Sequence, residues 1–273
     1  MQKEADYLAL WSELVLSRRG QHPEGPSTFE RKDKAEAFEA GTRRKNRERR
    51  DMLVEFIAND LKPGETALDV GAGTGRWTVP LAKVAAKVTA VEPAGAMLDI
   101  LKKNAAEAGV SNIEYVQANW ERAEVGMHDV VGCAHAMYMS ADFAAFVRKM
   151  EAKARRRCYL AIRHFPIDGI IQELSMKIYG NPHDGPNFII GYNAMYQMGI
   201  YANVLMEYVQ HRWNDETIDD AFARAKRHLH LEGLETYDKL IRETLERRLT
   251  YKDGVYVWPD GMNSALVWWD VVR

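Results

Sequence analysis

The apolar residues of the chain follow two alternating rhythms. Tyr7, Leu8, Trp11, Leu14 and Val15 recur at the spacing of one helix face and predict a helix over Glu4–Arg18. A Gly/Pro-rich loop, Gly20–Pro26, ends it, and Ser27 with Glu30 three residues on is a capping box that starts a second helix. Met52, Leu53, Phe56, Ile57 and Leu61 make a third stripe, suited to lie on a sheet. Short β-favouring runs follow at Thr66–Val70, Val88–Glu92, Asn112–Gln117, His128–Cys133 and Cys158–Ile162. Between them, Arg76–Val79 opens a helix, and Met97, Leu98, Leu101 and Ala105 mark another that stops at Gly109. Phe143, Phe146, Val147 and Met150 give the buried face of a further helix, for which Ser140 can serve as cap. Strands and helices alternating in this way predict an α/β fold with a doubly wound, mostly parallel sheet.

Past the fifth strand the rhythm changes. Asn187–Val204 reads as one helix rich in Tyr and Met, interrupted by Gly191 and Gly199, and Val204–Trp213 as a possible sixth strand. Asp215–Leu249 holds two amphipathic helices broken near Gly233, with Leu234, Tyr237, Ile241 and Leu245 on one face. Two β-like runs, Gly254–Trp258 and Ala265–Val272, close the chain around Pro259-Asp260-Gly261. The expected organisation is an N-terminal helical segment (1–51), a core (52–163) and a C-terminal part of the same sheet (164–273). The last part carries a helical cap inserted before the final strand, at about 214–250.

Composition narrows the class of partner. With 273 residues, 47% hydrophobic and 28% charged, the chain has ample core for one large domain plus a cap. A net charge of −2 gives no global attraction to nucleic acid or to an anionic membrane. No run of about 18 apolar residues predicts a membrane span. The first six residues contain no apolar signal core, and two cysteines imply no disulfide framework, so a cytoplasmic location is expected.

Chemistry enters with Asp69-Val70-Gly71-Ala72-Gly73-Thr74-Gly75, a strand end running into glycines at alternate positions. Glycine there lets the backbone take positive φ and approach a ligand closely. The next strand ends in Val91-Glu92-Pro93, an acid placed to accept hydrogen bonds from ribose hydroxyls. These two motifs resemble those of the class I S-adenosylmethionine (SAM)-dependent methyltransferases, and the resemblance covers Met52 to about Ile162. It implies a Rossmann-like methyltransferase fold with a reversed last strand, the part that Ala265–Val272 would play. SAM would be the cofactor and S-adenosyl-L-homocysteine the product. A nicotinamide-binding domain is the rival, but its third glycine would fall at position 76, which is Arg, and it has no use for Asp69.

Ligands in such sheets bind outside the carboxyl ends of the strands. The resemblance carries the methionine end of the cofactor onto Asp69, Gly71, Ala72 and Gly73, and the ribose onto Glu92 beside Pro93. Met97 would pack on the adenine, and Asn119 stands where many members place an Asp for the adenine amino group. Trp120 can stack on that ring or fill core, and Ala134 lies at the end of the fourth strand. Methyl transfer needs the acceptor held in line and, for a hydroxyl or ammonium, a base. His135 is the first candidate, with Tyr138, His164 and Tyr192 behind it; the plainer reading of His135 is a loop-bonding or cofactor-orienting histidine. Tyr192, Met195, Tyr196, Met198 and Tyr201 can wall an acceptor pocket or simply pack on the sheet.

His211, His228 and His230 have no acidic or thiol companions at ligand spacing, so no metal is expected. The basic run Arg43–Arg50 reads as a solvated helix face or as an RNA-binding one, and Arg155–Arg157 as surface on the edge away from the site. Cys133 and Cys158, taken as opposite ends of neighbouring strands, should lie more than about 10 Å apart. The favoured function is methyl transfer to a small-molecule acceptor. An RNA or protein methyltransferase, a non-catalytic SAM-binding protein and an NAD-dependent oxidoreductase are the alternatives. Oligomeric state is not legible.

Overall fold

The computed structural model describes residues 5–21, 30–48, 51–164, 169–180, 185–207, 213–259 and 263–272, with backbone alone for 18–21 and 42–48. The strands are β1 (Thr66–Val70), β2 (Lys87–Val91), β3 (Ile113–Val116), β4 (His128–Ala134), β5 (Ala154–His164), β6 (Asn203–Met206), β7 (Asn214–Asp215), β8 (Thr250–Lys252), β9 (Val255–Val257) and β10 (Asn263–Asp270). Seven of them form the main sheet in the order β3-β2-β1-β4-β5-β10-β6. All its pairings are parallel except those of β10, which runs against both β5 and β6. The first six strands therefore end on one edge, where β10 begins with Asn263 opposite His164.

Helices cover both faces. On one lie α1 (Tyr7–Gln21), α6 (Phe143–Lys153) and α8 (Phe188–Gln197), closed by Trp11, Phe143, Leu160, Ile162 and Met195. Trp11 is fully buried, stacks on Phe143 at 4.1 Å and donates its indole N–H to the Ser140 carbonyl at 3.0 Å. On the other face lie α3 (Met52–Asp60), α4 (Thr78–Ala82) and α5 (Gly95–Glu107), with Leu53, Ile57, Trp77, Leu81 and Leu101 inward. The helix α2 (Lys32–Glu48) packs on α5 rather than on the sheet, Ala35 against Met97 and Glu39 accepting from the Asn104 amide. Among the described residues no helix is long and apolar enough to cross a membrane.

Several expectations need correction. Ser27 lies outside the described residues, as do the side chains of Arg43–Arg50. The cap of α6 is Asp142, which accepts from Ala145 N–H at 2.8 Å, not Ser140. The fifth strand begins at Ala154, and the three arginines of its amino half are paired with acids. Arg155 pairs with Asp129, Arg156 with Asp60 and Glu65, and Arg157 with Asp60 and Asp270. Arg156 and Arg157 are a half-buried network rather than solvated surface, whereas Arg155 stays exposed as expected. Cys158 therefore stands in mid-strand, paired with Val131 and two residues out of register with Cys133. Two residues at about 3.3 Å and one strand spacing of about 4.8 Å give a Cα separation of about 8 Å, not more than 10 Å. That still exceeds disulfide reach, and both thiols are free.

The tyrosine-rich helix α8 stops at Gln197 because Gly199 takes φ +77° and Ile200 N–H returns to the Met195 carbonyl, a left-handed helix end. The cap reaches beyond 214–250. It comprises α7 (Ile170–Tyr179), α9 (Ile218–His228), α10 (Asp238–Arg248) and the antiparallel sheet β7-β9-β8, around a core of their own with Leu174, Leu229, Ile241, Leu245 and Trp258. Asp215 anchors it from within, accepting from the Arg224 fork and from the Trp258 indole at 2.7 Å. The β8–β9 hairpin turns on Asp253-Gly254, both at positive φ, as a two-residue turn requires.

Candidate active site at the carboxyl edge of the sheet

The turn after β1 is built on β2. Gly71 and Ala72 N–H groups both donate to the Val91 carbonyl, at 2.8 and 3.0 Å. Gly71 sits at φ +72°, and a Cβ there would fall 2.1 Å from the Ala136 methyl, so only glycine fits between β1 and the loop after β4. Gly73 is also left-handed, but a Cβ on it would meet nothing within 4 Å. The backbone at Gly73 is therefore open to close approach from outside.

Two buried carboxylates flank the turn. Asp69 is 1% exposed and accepts the Thr78 hydroxyl at 2.6 Å. Burial pushes its pKa up to about 6, the Thr78 hydrogen bond opposes this, and the negative charge of Glu92 adds to it. Glu92 is 8% exposed, and its two oxygens accept from Gly73 and Ala94 N–H, each at 3.0 Å. Burial raises its pKa against those two hydrogen bonds. Glu92 thus braces the glycine turn as well as standing at the strand tip. A carboxylate oxygen accepts more than one hydrogen bond, so the brace leaves capacity for ribose hydroxyls.

The adenine candidates divide. Met97 is buried against Ala35 of α2. Pro93 accepts at its carbonyl from the Gln117 amide at 3.4 Å. Asn119 is exposed and makes no side-chain cap, whereas Trp120 is a core residue that donates to the Phe146 carbonyl. Lys149 clamps the Trp120 turn through three carbonyls.

The acceptor candidates meet where β4, β5 and β10 end. Ala134 is half-buried beside Ala161, and His135 follows it at φ +60°, a conformation uncommon for a residue with a Cβ. The His135 ring lies between two hydroxyls, Nδ1 at 3.2 Å from Tyr138 Oη and Nε2 at 3.2 Å from Ser264 Oγ. Tyr138 also accepts the Arg163 backbone N–H at 2.6 Å. Ser264, on β10, exchanges bonds with the buried Glu207, which closes the row. His164 pairs with Asn263 in register and meets Phe188 edge-on; burial lowers its pKa. Thr78, Ser264 and Glu207 carry no motif that sequence reading could have singled out.

The expected aromatic wall is not assembled there. Met195 is core, and Tyr192 donates to the Ala202 carbonyl. Tyr196 and Tyr201 form an exposed edge-to-face pair at the far end of α8, below Asn203, which lies level with mid-β5. The described residues hold no group of three or more His, Cys, Asp or Glu that could bind a metal ion; His211 lies outside them.

A family model described as a methyltransferase domain matches residues 67–156, the stretch from β1 into β5. The chain carries a class I SAM-dependent methyltransferase domain. An uncharacterized protein of Haemophilus influenzae is 27% identical over 79% of the chain and 80% of its own length. A ubiquinone biosynthesis O-methyltransferase of Methylobacterium is 37% identical over 34% of the chain. A probable ribosomal RNA small subunit methyltransferase A of Methanosphaera stadtmanae is 41% identical over 21% of it. The chain spans 37% and 21% of these two relatives' lengths. A SAM-dependent methyltransferase of Thiobacillus denitrificans, solved with S-adenosylhomocysteine, shares the fold at TM-score 0.51 and 14% identity, over 82% of this chain and 94% of that one. The methyltransferase uses SAM as its methyl donor, and the open cradle at Gly73 between two buried carboxylates fits such a ligand.

Proposed function

We propose that this methyltransferase acts on a small-molecule acceptor held at the carboxyl edge of β4, β5 and β10. The observation that carries the reading is the placement of the cap. The chain leaves the main sheet at His164 and returns at Phe188, which touches His164; it leaves again at Glu207 and returns at Asn263. Every connection to the cap thus springs from the edge that bears the glycine turn. A separately packed unit there can roof an acceptor and exclude water. Apolar side chains stand exposed at the same edge, Met139 at 67% and Ile189 at 44%, as a pocket for an acceptor with an apolar part would need. Arg155, Arg156 and Arg157 at the start of β5 are each paired with acids, so the described surface offers no nucleic-acid face in that run.

SAM supplies a methyl group already activated by its sulfonium. Glu92 would take the ribose hydroxyls, and Asp69 and the backbone of Gly71–Gly73 the amino-acid end. His135 would accept the acceptor's proton at Nε2. This requires its own proton on Nδ1, donated to the Tyr138 oxygen, with Ser264 yielding to the acceptor or relaying for it. The test is transfer from methyl-labelled SAM into a cell extract fractionated by size. Label in the low-mass fraction supports the reading; label confined to RNA or protein overturns it.

A further inference from the structure

Arg163 lies one residue before the end of β5, directly across from Ser264 in the β5–β10 register. Paired residues share a sheet face with Cβ atoms about 5 Å apart, and Ser264 is the hydroxyl that holds His135. Arg163 is half-buried, and its guanidinium lies over the Tyr138 ring, 4.5 Å from its centroid. The backbone N–H of Arg163 donates to Tyr138, but among the described residues no carboxylate reaches its guanidinium and none of its five side-chain N–H donors has a protein acceptor. The other arginines of the same strand, Arg155, Arg156 and Arg157, are each paired with at least one acid. Glu207, next in the row across β10, turns to the Ser264 N–H instead.

A guanidinium stacked on an aromatic ring is held flat, with its donor fork pre-set for a planar oxyanion. Leaving such a fork unpaired beside the candidate base has a cost that an anionic substrate would remove. We infer that Arg163 is the anion-binding residue of the acceptor site, and that the acceptor is a small molecule bearing a carboxylate. The carboxylate pairs with the Arg163 fork while another part of the molecule presents its nucleophile to His135. This rests on the small-molecule reading above but is tested apart from it.

The test uses the full chain saturated with S-adenosylhomocysteine and three probes: benzoate, its neutral analogue benzamide, and inorganic phosphate. Binding is followed by tryptophan and tyrosine fluorescence. Benzoate is expected to bind wild type at least tenfold more tightly than Arg163→Gln, with benzamide indifferent to the substitution. Arg163→Lys, which keeps the charge and loses the fork, should fall between them. S-adenosylhomocysteine affinity should stay within twofold in both variants, which also shows that they fold. Equal benzoate affinity in wild type and Arg163→Gln, or no benzoate binding at all, overturns the assignment. Phosphate binding more tightly than benzoate overturns the carboxylate. If the extract assay labels only macromolecules while benzoate still depends on Arg163, the small-molecule reading fails and the anion site stands.

Discussion

Asp69 offers a test that needs no substrate. Its carboxyl has an ordinary pKa of 3.8, and burial pushes it up to about 6 in the folded chain. Between those values the folded protein keeps a proton that the unfolded chain has released, so stability falls as pH rises through that window. At about 1.4 kcal/mol per pH unit the loss comes to about 3 kcal/mol, an order-of-magnitude figure. Asp69→Asn removes the charge but keeps an oxygen for the Thr78 hydroxyl. Urea unfolding without cofactor, followed by tryptophan fluorescence, gives the free energies at about pH 4.5 and pH 7.5. The variant-minus-wild-type difference should grow by about 2 kcal/mol in favour of the variant between those two pH values, the first part of the loss having occurred below pH 4.5. The neighbouring Glu92 also has a raised pKa, but it is present in both proteins and largely cancels. A difference that is flat with pH, or that shrinks, would refute the reasoning. The same variant should bind SAM more weakly above about pH 6, where Asp69 is ionised, with the difference shrinking below it.

Other substitutions address single links. Glu92→Ala should weaken S-adenosylhomocysteine binding in calorimetry by about 1.5–3 kcal/mol, the range for hydrogen bonds to a charged group; unchanged affinity would put the ribose elsewhere. His135→Ala should slow transfer about 100-fold or more with cofactor affinity within a few-fold, and Tyr138→Phe should slow it less. If cofactor binding collapses instead, His135 belongs to the cofactor site. Burial pushes Cys133 up to about 12 and raises Cys158 well above its ordinary value, so both should resist alkylation in the native state. A Cys133–Cys158 disulfide in non-reducing peptide maps would overturn the β4–β5 register. Trp11→Ala should cost about 3–5 kcal/mol in urea unfolding, since it fills the space between α1, α6 and Gly191; a loss under about 1 kcal/mol would detach α1 from the core.

The parallel half of the sheet was legible because its signals are local. Asp69, the alternate glycines and Glu92 lie within two strand ends, and a period-based reading finds both. The amino half of β5 was not, because three arginines look like surface until Asp60, Glu65, Asp129 and Asp270 arrive from other parts of the chain. The end of α8 depended on one glycine taking the left-handed conformation, a choice composition alone does not make. The acceptor edge was half legible. His135 and Tyr138 follow a strand and could be nominated, but Ser264 and Arg163 matter only because β10 turns back antiparallel and sets Ser264 opposite Arg163. Met97 and Trp120 are buried among apolar neighbours, and apolar residues beside a ligand edge serve packing as readily as recognition, so sequence alone does not assign their role.

The most direct test is a crystal structure of the full chain with S-adenosylhomocysteine. The ribose hydroxyls should bond to Glu92, the amino-acid end should lie along Gly71–Gly73 near Asp69, and the sulfur should face His135. A cofactor bound away from the glycine turn, or with its sulfur turned from His135 and Arg163, would contradict the account.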